Sequence, residues 1–341
     1  MTVLVTGGAG FIGSNFVLDW FECGVEAVVT LDAMTYAGTA QGLAELPVDA
    51  PHTLVRGSIA DRHLVKNVLK EYRPRAVVHF AAETHVDRSI DSPAAFIDTN
   101  IYGTFALLES VREYLATMPN EDRRDFRFLH VSTDEVFGSL EVGEAAFTEG
   151  HAYEPNSPYA ASKAASDHLV RAWHRTYGVP VLLTNCSNNY GPFQFEEKLI
   201  PLLVDRALRG EDLPIYGDGQ QVRDWLFVGD HCAALRAVLK RGVVGESYNI
   251  GGRCERTNLQ VASAVCSLLD ELSPRSVGSY FEQVRFVKDR PGHDRRYAVD
   301  TSKVERCLGW APAEGFESGL RKTVSWCVSR RVGLGETGRV G

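Results

Sequence analysis

The 341-residue chain has no two cysteines at C-x-x-C spacing, and its cysteine count, seven, is odd. Both facts argue against a structural zinc site and against a disulfide framework. No metal centre is expected. Cys23, Cys186, Cys232, Cys254, Cys266, Cys307 and Cys327 read instead as small hydrophobes of a reducing compartment. A basic excess is missing too: 36 Lys+Arg stand against 44 Asp+Glu, a net charge of −8. Chains that neutralise nucleic-acid phosphates ordinarily show the opposite balance, so no nucleic-acid partner is expected. Doublets such as Arg123-Arg124 and Arg295-Arg296 are scattered and read as solvated surface. No run of about 18 apolar residues occurs, which removes a membrane span. There is no room for a signal peptide, because Val3-Leu4-Val5-Thr6 already reads as a strand and glycine follows it. The expected location is cytoplasmic. A chain that is 44% hydrophobic and 23% charged is ordinarily globular. Its length suits two domains, or one large α/β domain with an added lobe.

Short apolar runs alternate with helical stretches through the first half. Val3–Thr6, Ala27–Leu31, Thr53–Val55, Ala76–Ala81, Phe128–Ser132 and Val181–Thr184 read as buried strands. Repeated strand–helix–strand order implies an α/β fold, a doubly wound parallel sheet covered on both faces. One helix is well marked. Asn156-Ser157-Pro158 offers a cap and a first-turn proline, Ala165, Leu169, Trp173 and Tyr177 step by four, and Gly178 stops it. After Asn185 prolines and glycines break the alternation. Helical segments near 196–210 and 229–241 look isolated there, and Tyr248–Ile250 is a candidate to return to a sheet. The expected division is a Rossmann-type dinucleotide domain over 1–185, a smaller C-terminal nucleotide-sugar lobe over 186–330, with some segments free to return to the first domain, and a flexible tail over 331–341.

Gly7-Gly8-Ala9-Gly10-Phe11-Ile12-Gly13 follows the first strand and opens a helix. Gly7 permits the tight turn, Gly10 lets a pyrophosphate approach the backbone, and Gly13 lets helix and strand pack closely. The helix N-terminus then presents free N–H groups to the phosphates. Asp32 ends the second strand, where a carboxylate hydrogen-bonds a ribose 2′-OH and repels a 2′-phosphate. The pattern predicts NAD rather than NADP. A Gly-rich turn with Asp32 as a helix cap is the plain structural alternative.

Tyr159-Ala160-Ala161-Ser162-Lys163 sets a phenol and an ammonium one helical turn apart. A phenol needs roughly 3 pKa units of depression, about 4 kcal/mol, to act as a base near neutrality. Lys163 and a cationic nicotinamide ring could supply that by favouring phenolate. The fifth strand ends at Ser132-Thr133-Asp134-Glu135, where α/β folds place ligands. Two carboxyl groups there suit acid and base roles, while the same four residues fit a capping box.

These residues resemble the extended short-chain dehydrogenase/reductases, and within them the dTDP-glucose 4,6-dehydratases. The match runs over Thr6–Ser14, His79–Ser89, Ser132–Val136, Ser157–Lys163, Asn188–Pro192 and Arg290–Asp294. The Thr-Asp-Glu triplet with Tyr-x-x-x-Lys discriminates, since an epimerase relative normally carries no acid–base couple at 134 and 135. The resemblance implies a lyase working with tightly bound NAD on a nucleotide sugar, dTDP-glucose. It assigns Tyr159 as base with Lys163, Thr133 to polarise the C4 oxygen, Asp134 as acid and Glu135 as the base at C5. It places Gly7, Gly10, Phe11, Ile12, Gly13, Asp32, Ala33, Met34, Thr35, Ser58, Ile59, Ala81, Ala82, Thr84, Thr99, Tyr159, Lys163 and Asn189 along NAD. It places Thr84, Asp134, Glu135, Asn188, Lys198, Leu199, Pro214, Tyr216, Arg223, Asn249, Arg290 and His293 along the substrate. Arg223 and Arg290 suit a diphosphate. A homodimer is implied by the family alone. The chain departs from the family pattern at Ser58, where aspartate is usual, at Thr84 for serine and at Phe137 for tyrosine. Two other readings are a related nucleotide-sugar dehydratase or 4-epimerase acting on another sugar, and a non-catalytic NAD-binding scaffold.

Overall fold

The computed structural model describes residues 1–24, 26–36 and 38–337. Six strands fall where short Val- and Leu-rich runs are expected: β1 (Thr2–Thr6), β2 (Ala27–Asp32), β3 (His52–Arg56), β4 (Ala76–His79), β5 (Arg127–Thr133) and β6 (Val181–Cys186). Six more follow: β7 (Asn188–Tyr190), β8 (Leu213–Tyr216), β9 (Val222–Phe227), β10 (Ser247–Ile250), β11 (Glu255–Thr257) and β12 (Val284–Val287). The main sheet has the order β10-β6-β5-β4-β1-β2-β3. Every neighbouring pair in it is parallel. Strand order reverses beside β1, so a crevice opens beyond the carboxyl ends of β1 and β4. This is a Rossmann-type sheet.

Parallel sheets need cover on both faces, and two apolar clusters supply it. On one face Val3, Val5 and Leu182 meet Phe16, Leu235 and Val238. On the other Leu4, Val77 and Phe128 meet Leu69, Leu107 and Val111. The helix Val228–Arg241 belongs to the first of these clusters through Val228, Cys232, Leu235 and Leu239. It is therefore not isolated, contrary to the reading of 229–241, because its apolar row is spent on the main sheet. β10 likewise returns to the main sheet beside β6, with Asn249 opposite Asn185. The remaining lobe is built on β11-β9-β7 and β12-β8, with a third cluster that includes Leu203, Ile215, Val265 and Phe316. Residues expected as a tail from 331 continue the helix Phe316–Thr337, and 338–341 lie outside the described residues.

The helix Pro158–Tyr177 starts and stops as its sequence predicts. The Ser157 hydroxyl accepts the Ala160 N–H at 3.1 Å, Pro158 takes the first position, and Gly178 closes it at φ +69°. Its buried face is not the expected one. Tyr159, Ser162, Lys163, Ser166, Asp167 and Val170 are buried, while Tyr177 of the apolar row is 46% exposed.

Candidate active site

The glycine turn is shaped by close approach. Gly7 has φ +72°, and a Cβ there would sit 2.5 Å from the Ala81 nitrogen. A Cβ on Gly13 would sit 2.2 Å from the Gly7 carbonyl oxygen, whereas at Gly10 the nearest atom is 3.3 Å away. Asp32 braces the turn: it accepts the Ala9 N–H at 2.9 Å and the Met34 N–H at 2.8 Å. Beyond the turn lies a cleft of about 320 Å³. Of the expected cofactor residues, all but Met34 line it. Met34 adopts a left-handed backbone at φ +54°, and its side chain packs against the apolar cluster. Ser58 lines the cleft, and its hydroxyl accepts the Ala60 N–H at 3.1 Å. The cleft also holds polar atoms without protein partners, among them Ser132 Oγ, Ser187 Oγ and Asn188 Oδ1. Buried groups of that kind call for a polar ligand, and a dinucleotide fits the glycine turn, the acidic strand end and these orphan atoms.

β5 delivers the acid pair to the same cleft. The Thr133 hydroxyl, not that of Ser132, caps the single 3-10 turn Asp134–Phe137, accepting the Glu135 N–H at 3.3 Å. No reciprocal carboxylate bond is made, so the capping-box reading fails and both acids face the cleft. Asp134 is 1% exposed and its Oδ2 has no partner. Burial, then the charges of Glu135 and Asp224, hold its carboxyl well above the usual range. Burial raises Glu135 also, but Arg290, Arg223 and Lys198 face it and draw it back. The surroundings thus raise both carboxyls, Asp134 well above its ordinary range and Glu135 less so, because cations oppose its burial.

Tyr159 and Lys163 come from the helix Pro158–Tyr177. The Lys163 ammonium donates to the Val131 carbonyl at 2.9 Å, and burial lowers its pKa. Burial, then Glu135, pushes the Tyr159 phenol well above its ordinary value, with a hydrogen bond to Thr133 pulling the other way. The depression expected from Lys163 is therefore not present in the chain alone. For a buried phenol beside a carboxyl the neutral form wins until a further positive charge enters.

Among expected substrate residues, Thr84, Asp134, Glu135, Asn188 and Lys198 line the cleft. Lys198 also donates to the Thr84 carbonyl at 3.0 Å. Arg223, Arg290, Tyr216 and His293 do not line the cleft, although the charges of Arg290 and Arg223 reach Glu135. Arg223 is 5% exposed and donates to the Asp294 carbonyl at 3.0 Å. Arg290 and Tyr216 both meet Asp87, at 3.3 and 3.1 Å, and His293 pairs with Asp289 at 2.6 Å. Leu199 opens the helix Leu199–Arg209, and Pro214 lies in β8. Neither lines the cleft. Asn249 is fully buried in β10 and donates to the Phe147 carbonyl at 2.8 Å, away from the cleft lining. Phe137 stacks on Phe147 at 5.2 Å in an apolar cluster, which accommodates the missing hydroxyl.

Several residues of this neighbourhood carry no motif. Cys186, Ser187, Gln194 and Glu197 line the cleft. Asn100, in the widened turn Ile97–Gly103, accepts the Glu83 N–H at 2.8 Å and donates to Ser162 Oγ at 2.8 Å, tying a cleft loop to the helix of Tyr159. Asp167 is the row-mate of Tyr159 and Lys163, and the four-residue spacing alone could have found it.

A profile of the family described as GDP-mannose 4,6 dehydratase matches residues 4–323. The chain is 60% identical over 333 residues to a dTDP-glucose 4,6-dehydratase of Xanthomonas campestris pv. campestris, covering 97% of this chain and 94% of the relative. It is 52% identical to dTDP-glucose 4,6-dehydratase 1 of Escherichia coli K12, covering 96% and 93%. Among solved structures, the DesIV dTDP-glucose 4,6-dehydratase of Streptomyces venezuelae, with NAD bound, superposes at TM-score 0.88 and 45% identity, covering 97% of this chain and 98% of that one. A Thermus thermophilus UDP-glucose 4-epimerase in complex with NAD superposes at 0.83 and 31% identity, covering 96% and 99%.

Proposed function

Since the chain belongs to the nucleotide-sugar 4,6-dehydratase family of extended short-chain dehydrogenase/reductases, we propose that it is a hydro-lyase converting dTDP-glucose to dTDP-4-keto-6-deoxyglucose. The observation that carries this reading is the buried Asp134 carboxyl beside Glu135, in one cleft with Tyr159 and the glycine turn. An epimerase needs the base and the cofactor but no such acid–base couple.

The glycine turn, Asp32 and Asn189 would hold NAD, and Asp32 disfavours the 2′-phosphate of NADP. When bound, NAD would supply the hydride acceptor for C4 and the hydride donor for C6, and its oxidised ring would carry a positive charge. That charge would supply the phenolate stabilisation of Tyr159 that Lys163 alone does not. Tyr159 takes the proton of the 4-OH, and Thr133 hydrogen-bonds the C4 oxygen. The 4-ketone acidifies C5–H, Glu135 removes that proton, and Asp134 protonates the C6 hydroxyl as it leaves as water. Glu135 then returns its proton to C5. Arg223, Arg290 and Lys198 favour the charged form of Glu135 against its burial and suit the substrate diphosphate.

A homodimer in the cytoplasm completes the reading. Tyr102, Phe105, Trp173 and Tyr177 form a continuous aromatic stripe across two helices, with centroids 5.4 to 5.9 Å apart. Tyr102 and Tyr177 are 52% and 46% exposed, as is Ile97 at 47%, a patch suited to a second copy. No described helix is long and apolar enough to cross a membrane, and all seven cysteines are free. Incubation with dTDP-glucose, UDP-glucose and GDP-mannose, read by the alkaline absorbance of a 4-keto sugar, tests the substrate. Product from dTDP-glucose is expected. Product only from another nucleotide sugar, or none at all, overturns the reading.

A further inference from the structure

Lys163 is a buried cation whose hydrogen bond goes to a neutral carbonyl, that of Val131. An ammonium in that setting needs a counter-charge. Asp167 stands one turn further along the same row of the helix Pro158–Tyr177 and is fully buried. Its carboxylate is caged by donors. Oδ2 accepts the Tyr153 hydroxyl at 2.9 Å and the Asn185 amide at 3.2 Å, and Oδ1 lies 3.1 Å from His130 Nε2. Burial works against the charged form, but the neighbouring His130 and the charge of Lys163 outweigh it, and Asp167 ends below the usual carboxylate range.

The other groups around this row leave the role to Asp167. From β5, His130 is driven down to about 4 by burial and by Lys163, so it is a neutral imidazole and no counter-charge. From β4, His79 is held neutral by burial and by His130, and it bonds Thr6 and Thr104 at 2.7 and 3.0 Å. From β6, Cys186 is pushed up to about 12 by burial and stays a thiol. From the loop before the helix, Tyr153 is raised by burial and by Asp167 itself. Arg171, later on the helix, donates to the Tyr153 hydroxyl at 3.0 Å. At the cleft end of the row, Tyr159 is a neutral phenol and Asp134 a neutral acid.

We propose that Asp167 is a positioning residue for the reaction: its caged carboxylate is the counter-charge that keeps Lys163 an ammonium, and through Lys163 it sets the ability of Tyr159 to ionise. Hydrogen bonds from Tyr153 and Asn185, with the His130 ring beside them, hold that anion where water cannot screen it. The proposal rests on the assignment of Tyr159 and Lys163 as the oxidation pair.

Two readouts test it. The first is the Lys163 titration itself, followed by NMR of lysines labelled with carbon-13 at the ε position. The Lys163 signal is assigned by its disappearance in Lys163→Arg. In the wild type Lys163 should stay protonated through pH 8. Asp167→Asn, which keeps the side-chain shape, should lower its midpoint by at least one pH unit. The second is kcat across pH 6 to 9. Asp167→Asn should lie within about threefold of wild type at pH 6 and fall at least tenfold further by pH 9, with KM little changed. Asp167→Glu should restore most of the alkaline activity. Tyr153→Phe removes one bond from the cage and leaves the charge, so it should lower stability without adding an alkaline fall. Equal loss of kcat at every pH, or an unmoved Lys163 midpoint, overturns the proposal. So does a wild-type Lys163 already neutral at pH 7, a result available even if Asp167→Asn does not fold. Absence of wild-type turnover would instead count against the proposed function, and the NMR midpoints would still decide the role of Asp167.

Discussion

Asp134 and Glu135 are chain neighbours with different electrostatic surroundings. Burial raises both, but Asp134 also faces two carboxyl groups, whereas Glu135 faces two guanidinium groups and an ammonium that oppose its burial. Glu135→Gln should abolish exchange of the substrate C5 proton with solvent deuterium and lower turnover by about 10²–10⁴-fold. Asp134→Asn should slow loss of water while C5 exchange persists. Near-normal rates per folded molecule in both variants would remove the acid–base assignment. Stability should also respond to pH through His231, which burial drives down to about 3 and which bonds Asn189 Oδ1 at 2.9 Å. A histidine depressed in the folded state charges first in the unfolded chain, so its cost begins near pH 6.5 and grows as pH falls towards 3. At pH 5 it amounts to roughly 2 kcal/mol. His231→Gln should flatten that acid limb of a denaturation-versus-pH curve, and an unchanged slope would rule the histidine out. That Thr133, Asp134, Glu135, Tyr159 and Lys163 share one cleft was legible because their spacing on a strand end and a helix face is fixed. Met34 and Asn249 were not, because a backbone twist and a sheet edge decide where their side chains go.

Elements follow the same division. The six early strands are legible because burial on both faces leaves continuous Val- and Leu-rich runs, and the structure shifts their ends by one or two residues. The helix Pro158–Tyr177 shows where pattern misleads. Its apolar row, Ala165, Leu169, Trp173 and Tyr177, reads as the buried stripe, but its polar row takes the deeper place. Hydrogen bonds to β5 and β6 replace apolar contact on that face, a solution that hydrophobic periodicity cannot register. Its termini, by contrast, are set locally. Ser157→Ala should lower unfolding free energy by about 1 kcal/mol, measurable by urea titration. A loss below about 0.3 kcal/mol would mean that the Ala160 N–H finds another acceptor.

At the scale of the molecule, the aromatic stripe makes assembly testable. Tyr102→Glu with Tyr177→Glu should halve the mass seen in sedimentation velocity, whereas an unchanged mass would place any interface elsewhere. The expected division at 185 and 186 was less legible than the motifs, because Val228–Arg241 and β10 are distant in sequence and only tertiary contact assigns them to the first sheet. That late return of β10 bears on how the protein is made. A ribosome releases the chain from its N-terminus at about 5–20 residues per second. β6 ends at residue 186, but the strand that covers its outer edge begins at residue 247. For several seconds of synthesis the nascent sheet carries a row of unpaired N–H and C=O groups along β6, the kind of edge that recruits foreign strands. A chain released at residue 185 should therefore aggregate, and during translation β6 is the segment most in need of a chaperone.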